Sequence, residues 1–413
     1  MTGYDACVRC GLCLPSCPTY LETMTETSGP RGRISLIKAV DEGRLDLLSP
    51  GFTEQMSQCL DCRACEAVCP SGVPYGQLVE GARASIEAAR VPQRTGPQRS
   101  ARSFALHTLF SNLRLMRGVA SVTRFAQRSG LMYLAGLVGL GRAANLAPRI
   151  ADSFFVPNDQ RYDVTNAAGV AFLHAGCVMQ VAFPNVHDAT IRMLNRARLS
   201  VVVPRAQGCC GAIAVHAGDP EFARDLAKVN IAAFERSGAD VYVVNAAGCG
   251  SSLKEYGALF AADDLWSERA ARFSSRVRDV LEVLDAMELP PPAHGVSGVV
   301  TYQEPCHLVH AQRVSAAPRR LLAKIPGITL REMNESAVCC GSAGTYNLTE
   351  PAMSERLQKR KVANIEETAA TIVATANPGC AMQVASGLRA ARIDARVAHI
   401  VELLDESYGG EAR

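Results

Sequence analysis

The chain of 413 residues lacks the features that would place it in several large classes of protein. It has no marked excess of either charge. The formal net charge is +3, too near neutral for charge alone to point to nucleic acid as a partner. No charge run or low-complexity stretch is long enough to suggest a disordered tail. The longest apolar run, Leu131 to Gly141, falls far short of the roughly 20 residues that span a bilayer. With the first cysteine at position 7 there is no room for an export signal, and the expected setting is the cytosol. A nucleotide loop is also missing, because Gly136-Leu-Val-Gly139-Leu-Gly141 has the wrong glycine order and follows no strand. What remains, at 48% hydrophobic and 20% charged, is an ordinary globular composition. At roughly 150 residues per domain the length predicts about three units.

Against that plain background stand 16 cysteines, which fall into four sets of four. The first is Cys7-x2-Cys10-x2-Cys13-x3-Cys17-Pro18, and the second is Cys59-x2-Cys62-x2-Cys65-x3-Cys69-Pro70. The third comprises Cys177, the pair Cys209 and Cys210 before Gly211, and Cys249. The fourth comprises Cys306, the pair Cys339 and Cys340 before Gly341, and Cys380. In a small secreted chain such numbers would suggest a disulfide framework. In a large chain without an export signal they suggest metal ligation in a reducing compartment.

The first two sets have the spacing of bacterial ferredoxins, C-x2-C-x2-C-x3-C-P. Three thiolates two residues apart can wrap three corners of an iron–sulfur cube from one loop, with backbone amides directed at the sulfides. The fourth cysteine faces away and ligates the cluster of the other run. The expected ligands are therefore Cys7, Cys10, Cys13 and Cys69 for one 4Fe–4S cluster, and Cys59, Cys62, Cys65 and Cys17 for the other. Four-cysteine zinc sites usually pair two C-x2-C knuckles instead. Two neighbouring clusters suit the passage of single electrons. The 41 residues between Cys17 and Cys59 depart from a compact ferredoxin. They include Gly29-Pro30-Arg31-Gly32-Arg33 and a helical stretch, Ile34 to Val40. Arg31 and Arg33 could neutralise cluster charge or dock a partner, although solvated surface is the expectation for both.

Residues 90–155 contain no cysteine and are rich in arginine, with Phe104, Leu106, Leu109, Phe110, Leu113 and Met116 at roughly helical spacing. A basic amphipathic helix there could bind a partner or an anionic membrane surface. The favoured reading is a helical connector that packs on its own domains and keeps its arginines in solvent.

From about residue 165, β-rich runs alternate with helical stretches, the pattern of parallel sheets with helical crossovers. Strands are predicted at Val170–His174, Ser200–Pro204 and Val241–Asn245, then at Gly298–Gln303, Ile328–Met333 and Thr371–Thr375. Helices are predicted at Pro184–Arg198 and Pro220–Ser237, and at 317–325 and 351–369. The two halves align. Cys177 and Cys209 are separated by 31 residues and Cys306 and Cys339 by 32, while the intervals from Gly211 to Cys249 and from Gly341 to Cys380 are 37 and 38. This is internal duplication. Each half brings four thiols to a sheet rim, where open α/β sheets bind ligands. Such thiols could hold iron and sulfide, bind zinc, act as a redox dithiol or form a strained disulfide; a metal is the favoured reading. His174, His307 and His310 lie near enough in sequence to be further ligands, but structural roles are expected for them.

These residues resemble a known family. The paired ferredoxin motifs, the Gly-Pro-Arg-Gly-Arg insert and Cys69-Pro-Ser-Gly-Val-Pro-Tyr-Gly-Gln77 resemble those of the bacterial glycolate oxidase iron–sulfur subunits. So do Glu304-Pro-Cys-His307, Cys339-Cys-Gly-Ser-Ala-Gly-Thr-Tyr-Asn347 and Asn377-Pro-Gly-Cys380-Ala-Met-Gln383. The Cys-Cys-Gly repeats are also similar to those of the heterodisulfide reductase B subunit, of the anaerobic glycerol-3-phosphate dehydrogenase C subunit and of lactate-utilisation proteins. The resemblance implies an electron-transfer subunit beside FAD-bearing subunits that oxidise glycolate, or a similar 2-hydroxy acid such as D-lactate. Electrons would pass on towards membrane quinone, with peripheral contact at the cytoplasmic face of the inner membrane. The flavin is expected on another chain. One departure is clear. The full heterodisulfide-reductase repeat has a fifth cysteine, and Ser252 and Gln383 stand at that position here, which disfavours thiol–disulfide chemistry.

The expected architecture is mixed α+β and α/β. A helical two-cluster domain at 1–90 precedes a basic helical linker at 91–160. Two duplicated cysteine-rich domains with parallel sheets follow at 165–290 and 296–408.

Overall fold

The computed structural model describes residues 3–93, 96, 104–132, 141, 144, 147–263 and 265–410. In the N-terminal region the two cysteine loops share a backbone device. Arg9 and Gly11 on either side of Cys10 have φ of 58° and 84°, and Asp61 and Arg63 on either side of Cys62 have φ of 51° and 61°. A left-handed residue carrying a side chain costs roughly 1–2 kcal/mol. Three of these four positions are not glycine, so both loops hold strain that coils three thiols around a common centre.

The insert between the loops is a scaffold. Pro30 starts the helix Pro30–Asp41, which is longer than the predicted stretch from Ile34 to Val40. Gly32 lets that helix lie against the preceding turn, because a Cβ there would sit 2.2 Å from the Glu26 carbonyl. Ile34 and Ile37 then pack with Phe52, Met56, Tyr75, Leu78, Val79 and Ala82, the last four from the helix Tyr75–Arg90. Burying each large side chain contributes about 1.5–3 kcal/mol, which offsets the strained loops.

The arginine-rich segment contains the helix Leu113–Arg128, capped by the Asn112 side chain, which accepts from the amides of Arg114 and Leu115. Ala120 packs with Ile150 and Val181, Arg117 donates to Gln180, and Arg124 donates to the Ala151 carbonyl. The segment is thus fastened to the first repeat. Arg117 and Arg124 are bonded to protein, contrary to the expectation that its arginines sit in solvent. Residues 133–140 of the apolar run, which hold most of the glycine-rich stretch, lie outside the described residues, as do Arg94, Arg99, Arg102 and Arg142.

Two sheets follow. The first runs β1 (Gln160–Tyr162), β3 (Leu199–Val203), β2 (Gly169–Leu173), β4 (Val241–Val244), β5 (Val277–Asp279), with only β1 antiparallel. The second runs β7 (Ile328–Leu330), β6 (Gly298–Tyr302), β8 (Ile372–Thr375), β9 (Arg396–His399), all parallel. Without β1 the two orders are identical, so the duplication seen in the cysteine spacing is a duplication of topology. The β-strands β2, β3, β4, β6, β7 and β8 fall on the predicted runs, with β7 shorter than expected. The short strands β1, β5 and β9 were not anticipated. Gln-Arg-Tyr, Val-Arg-Asp and Arg-Val-Ala-His are too brief and too charged to show a strand pattern, and pairing at the sheet margin makes them strands.

In both repeats the chain turns sharply at the glycine after the cysteine pair. Gly211 and Gly341 have φ of 83° and 87°, and a Cβ on Gly341 would lie 2.7 Å from the Ser354 carbonyl of the helix Pro351–Glu366. Gly341→Ala therefore combines left-handed strain with a steric clash and is expected to cost about 2–4 kcal/mol. Gly238→Ala, at φ 65° with no atom near the new methyl, should cost about 1 kcal/mol. Comparing the two variants' urea midpoints checks this; equal shifts would contradict the packing argument.

Candidate iron–sulfur and cysteine-rich centres

All sixteen cysteines are free of disulfides, and the structure gathers them at a few places. Cys7, Cys10, Cys13, Cys65 and Cys69 line one small cavity together with Arg31 and Tyr75. Cys17, Cys59, Cys62 and Cys65 are buried, and the last two lie within each other's electrostatic reach and that of Cys17 and Cys59. Burial pushes the thiols of Cys62 and Cys65 well above their ordinary range. Desolvated thiols of this kind ionise only when a positive centre is supplied.

Two arginines of the insert serve these sets differently. Arg31 pairs with Glu26 at 2.5 Å and donates to the Arg9 carbonyl, tying the first loop at the surface. Arg33 corrects the expectation of solvated surface, for it is 1% exposed. It donates to the Gln55 carbonyl and the Thr19 hydroxyl, and its Nη2 has no partner. Beside it are Cys17, Cys59 and Tyr75, whose hydroxyl is 3.5 Å from Cys59 Sγ. A buried guanidinium without a carboxylate costs several kcal/mol unless another anion faces it. The orphaned nitrogen therefore fits an anionic cluster at Cys17 and Cys59. The family motif Pro74-Tyr-Gly-Gln77 acquires a reason as well. Tyr75 reaches the thiol, and Gly76 leaves room for Arg63, which a Cβ would overlap at 1.8 Å.

The second loop also carries a charge network with no trace in sequence spacing. Arg63 bridges Asp61 at 2.9 Å and Glu80 at 2.8 Å, and His216 from the first repeat meets Asp61 at 3.1 Å. Burial disfavours the Asp61 carboxylate, but Arg63 and His216 outweigh it and hold it well below the usual range. Asp61, Glu80 and His216 are near enough to grip a cation together. Arg63 already occupies that place.

In the cysteine-rich repeats the thiols sit beyond the C-terminal ends of the strands. Cys177 follows β2, Cys209 and Cys210 follow β3, and Cys249 follows β4; the second repeat repeats this with β6, β7 and β8. Cys209 Sγ lies 4.0 Å from Cys177 Sγ. A disulfide needs about 2.05 Å, whereas two thiolates on a tetrahedral metal at 2.3 Å stand about 3.8 Å apart. The thiol neighbours match between repeats: Cys177 with Cys209 and Cys210 with Cys249, then Cys306 with Cys339 and Cys340 with Cys380. The donor set fits a metal centre.

The repeats face each other. Ala247 N donates to the Ala376 carbonyl, Gly248 N to Asn377, and His399 Nε2 to the Asn245 carbonyl. Between them lies a mainly apolar cavity of about 400 Å³ that both thiol sets reach, through Cys177, Cys209, Cys210 and Cys249 on one side and Cys306 and Cys380 on the other. The second ferredoxin loop closes against the second repeat, where Leu60 and Cys62 pack with Cys306, Cys339 and Tyr346. No thiol set is remote from the next.

Each candidate histidine has a hydrogen-bond partner in the protein. His307 Nε2 bonds the Asp61 carbonyl at 2.9 Å, and His310 bonds the Ala337 carbonyl at 3.1 Å. His174 bonds the Tyr242 hydroxyl at 2.8 Å. Its ring also neighbours Cys249, whose thiol is drawn down to about 6 by Cys210 and His174 against the opposing effect of burial. Neither residue at the fifth-cysteine position serves a thiol set. Ser252 Oγ donates to the Cys210 carbonyl at 3.4 Å. Gln383, 2% exposed, donates to Ser354 Oγ at 3.0 Å.

A ferredoxin-type pair of loops joined to two cysteine-rich α/β repeats defines an electron-transfer iron–sulfur protein. The 4Fe-4S dicluster domain model matches residues 3–73, and the cysteine-rich domain model matches residues 171–254 and 300–385. The chain is 39% identical to the probable glycolate oxidase iron-sulfur subunit of Bacillus subtilis, over 98% of this chain and 94% of that one. It is 33% identical to the glycolate oxidase iron-sulfur subunit of Escherichia coli over the same shares. With one subunit of the fumarate reductase (CoM/CoB) of Methanothermobacter marburgensis it shares 28% identity, over 98% of this chain and 72% of that one. The chain belongs to the glycolate oxidase iron–sulfur subunit family. It is an electron-transfer subunit of an oxidoreductase complex and binds iron–sulfur clusters.

Buried neutral histidines tie the fold to pH. Burial holds His187 down to about 3, and His307 and His399 down to about 4. The unfolded chain binds these protons near pH 6.5, so the stability they give is full above that value and is lost as pH falls towards 4. Each contributes a slope of at most about 1.4 kcal/mol per pH unit. The urea midpoint should fall from pH 7 to pH 5, and His399→Asn, which keeps an acceptor for the Val401 amide, should flatten the dependence. An unchanged slope would contradict it.

Proposed function

We propose that the chain carries two 4Fe–4S clusters, cluster one on Cys7, Cys10, Cys13 and Cys69, and cluster two on Cys59, Cys62, Cys65 and Cys17. It takes electrons from an FAD-bearing partner that oxidises glycolate or a similar 2-hydroxy acid, and delivers them towards quinone. The names of the two bacterial relatives support the substrate and the flavin partner. The single observation that carries the electron path is the packing of the second ferredoxin loop against Cys306 and Cys339, which makes the second repeat continuous with cluster two. The eight thiols Cys177, Cys209, Cys210, Cys249, Cys306, Cys339, Cys340 and Cys380 hold further metal, as iron–sulfur or zinc. In this reading residues 1–90 are the two-cluster domain, 91–160 the linker, and 165–290 and 296–408 the repeats.

Contact with a membrane would be peripheral, because no helix among the described residues is long and apolar enough to cross one. The helix Leu113–Arg128 supports it, with exposed Val119, Val122 and Phe125 and Arg128 at its end. The methanogen relative favours a second reading, thiol–disulfide reduction at the repeats. Ser252 and Gln383 in place of fifth cysteines weigh against it.

Metal analysis of the anaerobically purified chain should give at least about eight irons for two clusters, and about sixteen if both repeats also hold cubane clusters. Cys17→Ser should damage the EPR signal of cluster two and Cys69→Ser that of cluster one. Damage confined to the cluster of the variant's own run would overturn the crossed assignment. The native chain should co-purify with an FAD protein active on a 2-hydroxy acid, and failure to recover one would count against the oxidase role.

A further inference from the structure

The two repeats are alike in topology and unlike in charge. The second helix after each cysteine pair starts at a proline, Pro220 in the first and Pro351 in the second. Ten residues on from each proline stand Asn230 and Lys361. Asn230 is neutral and fully buried, donating to the Cys209 carbonyl and the Tyr256 hydroxyl and accepting from Gly208 N. Lys361 is equally enclosed, at 2% exposed, and it carries an ammonium group.

Among the described residues that ammonium bonds only neutral partners, the Glu335 carbonyl at 2.5 Å and the Ser336 carbonyl at 3.1 Å. The carboxylates nearby are engaged elsewhere. Glu335 accepts from Arg360 at 2.5 and 2.6 Å and from Asn364, and Glu304 accepts from Arg319 and Ser336. An unpaired buried cation costs several kcal/mol, so a counter-anion is required. Burial draws the lysine's pKa down, and the sulfurs of Cys340, Cys339 and Cys380, once ionised, oppose it ahead of Glu335. A disulfide or a protonated dithiol is neutral and would leave the ammonium unmatched. Four thiolates on a zinc ion or an oxidised cubane core retain net negative charge.

We infer that Lys361 is the fixed counter-cation of an anionic iron–sulfur centre on Cys306, Cys339, Cys340 and Cys380, and that this repeat accepts electrons from cluster two. The inference rests on the reading of the repeats as metal sites given above. One-electron reduction adds one negative charge to the thiol set and moves no proton or bond. A fixed cation in a low-dielectric interior therefore favours the reduced state there. Arg33 stands in the same relation to cluster two, without a carboxylate. Arg31 at cluster one is neutralised by Glu26, and the first repeat has Asn230 at the position of Lys361. Buried positive charge thus follows the direction from cluster two to Cys306, the thiol that packs beside Cys62.

The test uses the full chain purified anaerobically with its partners. Iron, sulfide and zinc are counted, and midpoint potentials are read by EPR-monitored titration. The signal of the second repeat is the one lost in Cys340→Ser. In Lys361→Gln that signal should move to lower potential by at least a tenfold change in its reduction equilibrium, about 59 mV for one electron. The iron count and the other signals should hold, and Lys361→Arg should restore most of the shift. Glu335→Gln, which leaves Lys361 in place and removes a nearby negative charge, should move the same signal upwards even if Lys361→Gln fails to fold. An iron-loaded second repeat whose potential ignores both changes would overturn the role of Lys361 alone. Zinc, or no metal, in the second repeat would overturn the metal-site reading of that repeat and the acceptor role with it.

Discussion

Anionic sulfur kept inside protein is the constraint on which the structure depends. Ten of the sixteen cysteines are buried, and the fold sets positive charge beside them in fixed positions. Arg33 is brought to Cys17 and Cys59 by a helix whose Gly32 permits close approach, so the Gly-Pro-Arg-Gly-Arg insert is a device for burying one guanidinium. Arg63 performs a different task behind the same loop. It pairs with Asp61 and Glu80 and so offsets the cost of burying acidic groups behind the second cysteine loop.

The same constraint explains why the sheets are duplicated. A parallel sheet ordered second, first, third, fourth opens a crevice at the ends of its first and third strands. The loops after its strands, turning on the left-handed Gly176 and Gly211, deliver Cys177, the pair Cys209 and Cys210, and Cys249 to that crevice. Two such sheets, joined at Ala247 and Ala376, turn their crevices towards one cavity. The second repeat meets the ferredoxin loops through Leu60 and Cys62 and the first through His216 on Asp61, which gives identical folds different contacts with the same loop.

Much of this was legible in the sequence because cysteine spacing is a covalent ruler. Intervals of 31 and 32, then 37 and 38, disclosed the repeat that the sheet orders display. Strands with continuous apolar runs, such as Val241–Val244, were equally plain. What stayed hidden depends on partners distant in sequence. The network of Asp61, Arg63, Glu80 and His216 spans 155 residues from its first member to its last and has no local pattern. Arginine is seldom buried, so sequence alone predicts a solvated Arg33, and only the three-dimensional position of Cys17 and Cys59 reverses that prior. Lys361 gives no sequence signal for the same reason, lying in a basic run beside the exposed Lys359. Strands β1, β5 and β9 owe their conformation to pairing rather than to their own residues.

The helix Pro18–Thr23 begins at the residue after Cys17 and carries Glu22, which holds Arg356 and Arg360 on the helix Pro351–Glu366 of the second repeat. That second helix also carries Lys361. A thiol of the N-terminal region and an ammonium of the C-terminal region are therefore mounted on two rods riveted to each other. Seating of the thiol and docking of the two ends of the chain become one mechanical event, and a chain whose Cys17 is misplaced is also one whose halves are misaligned.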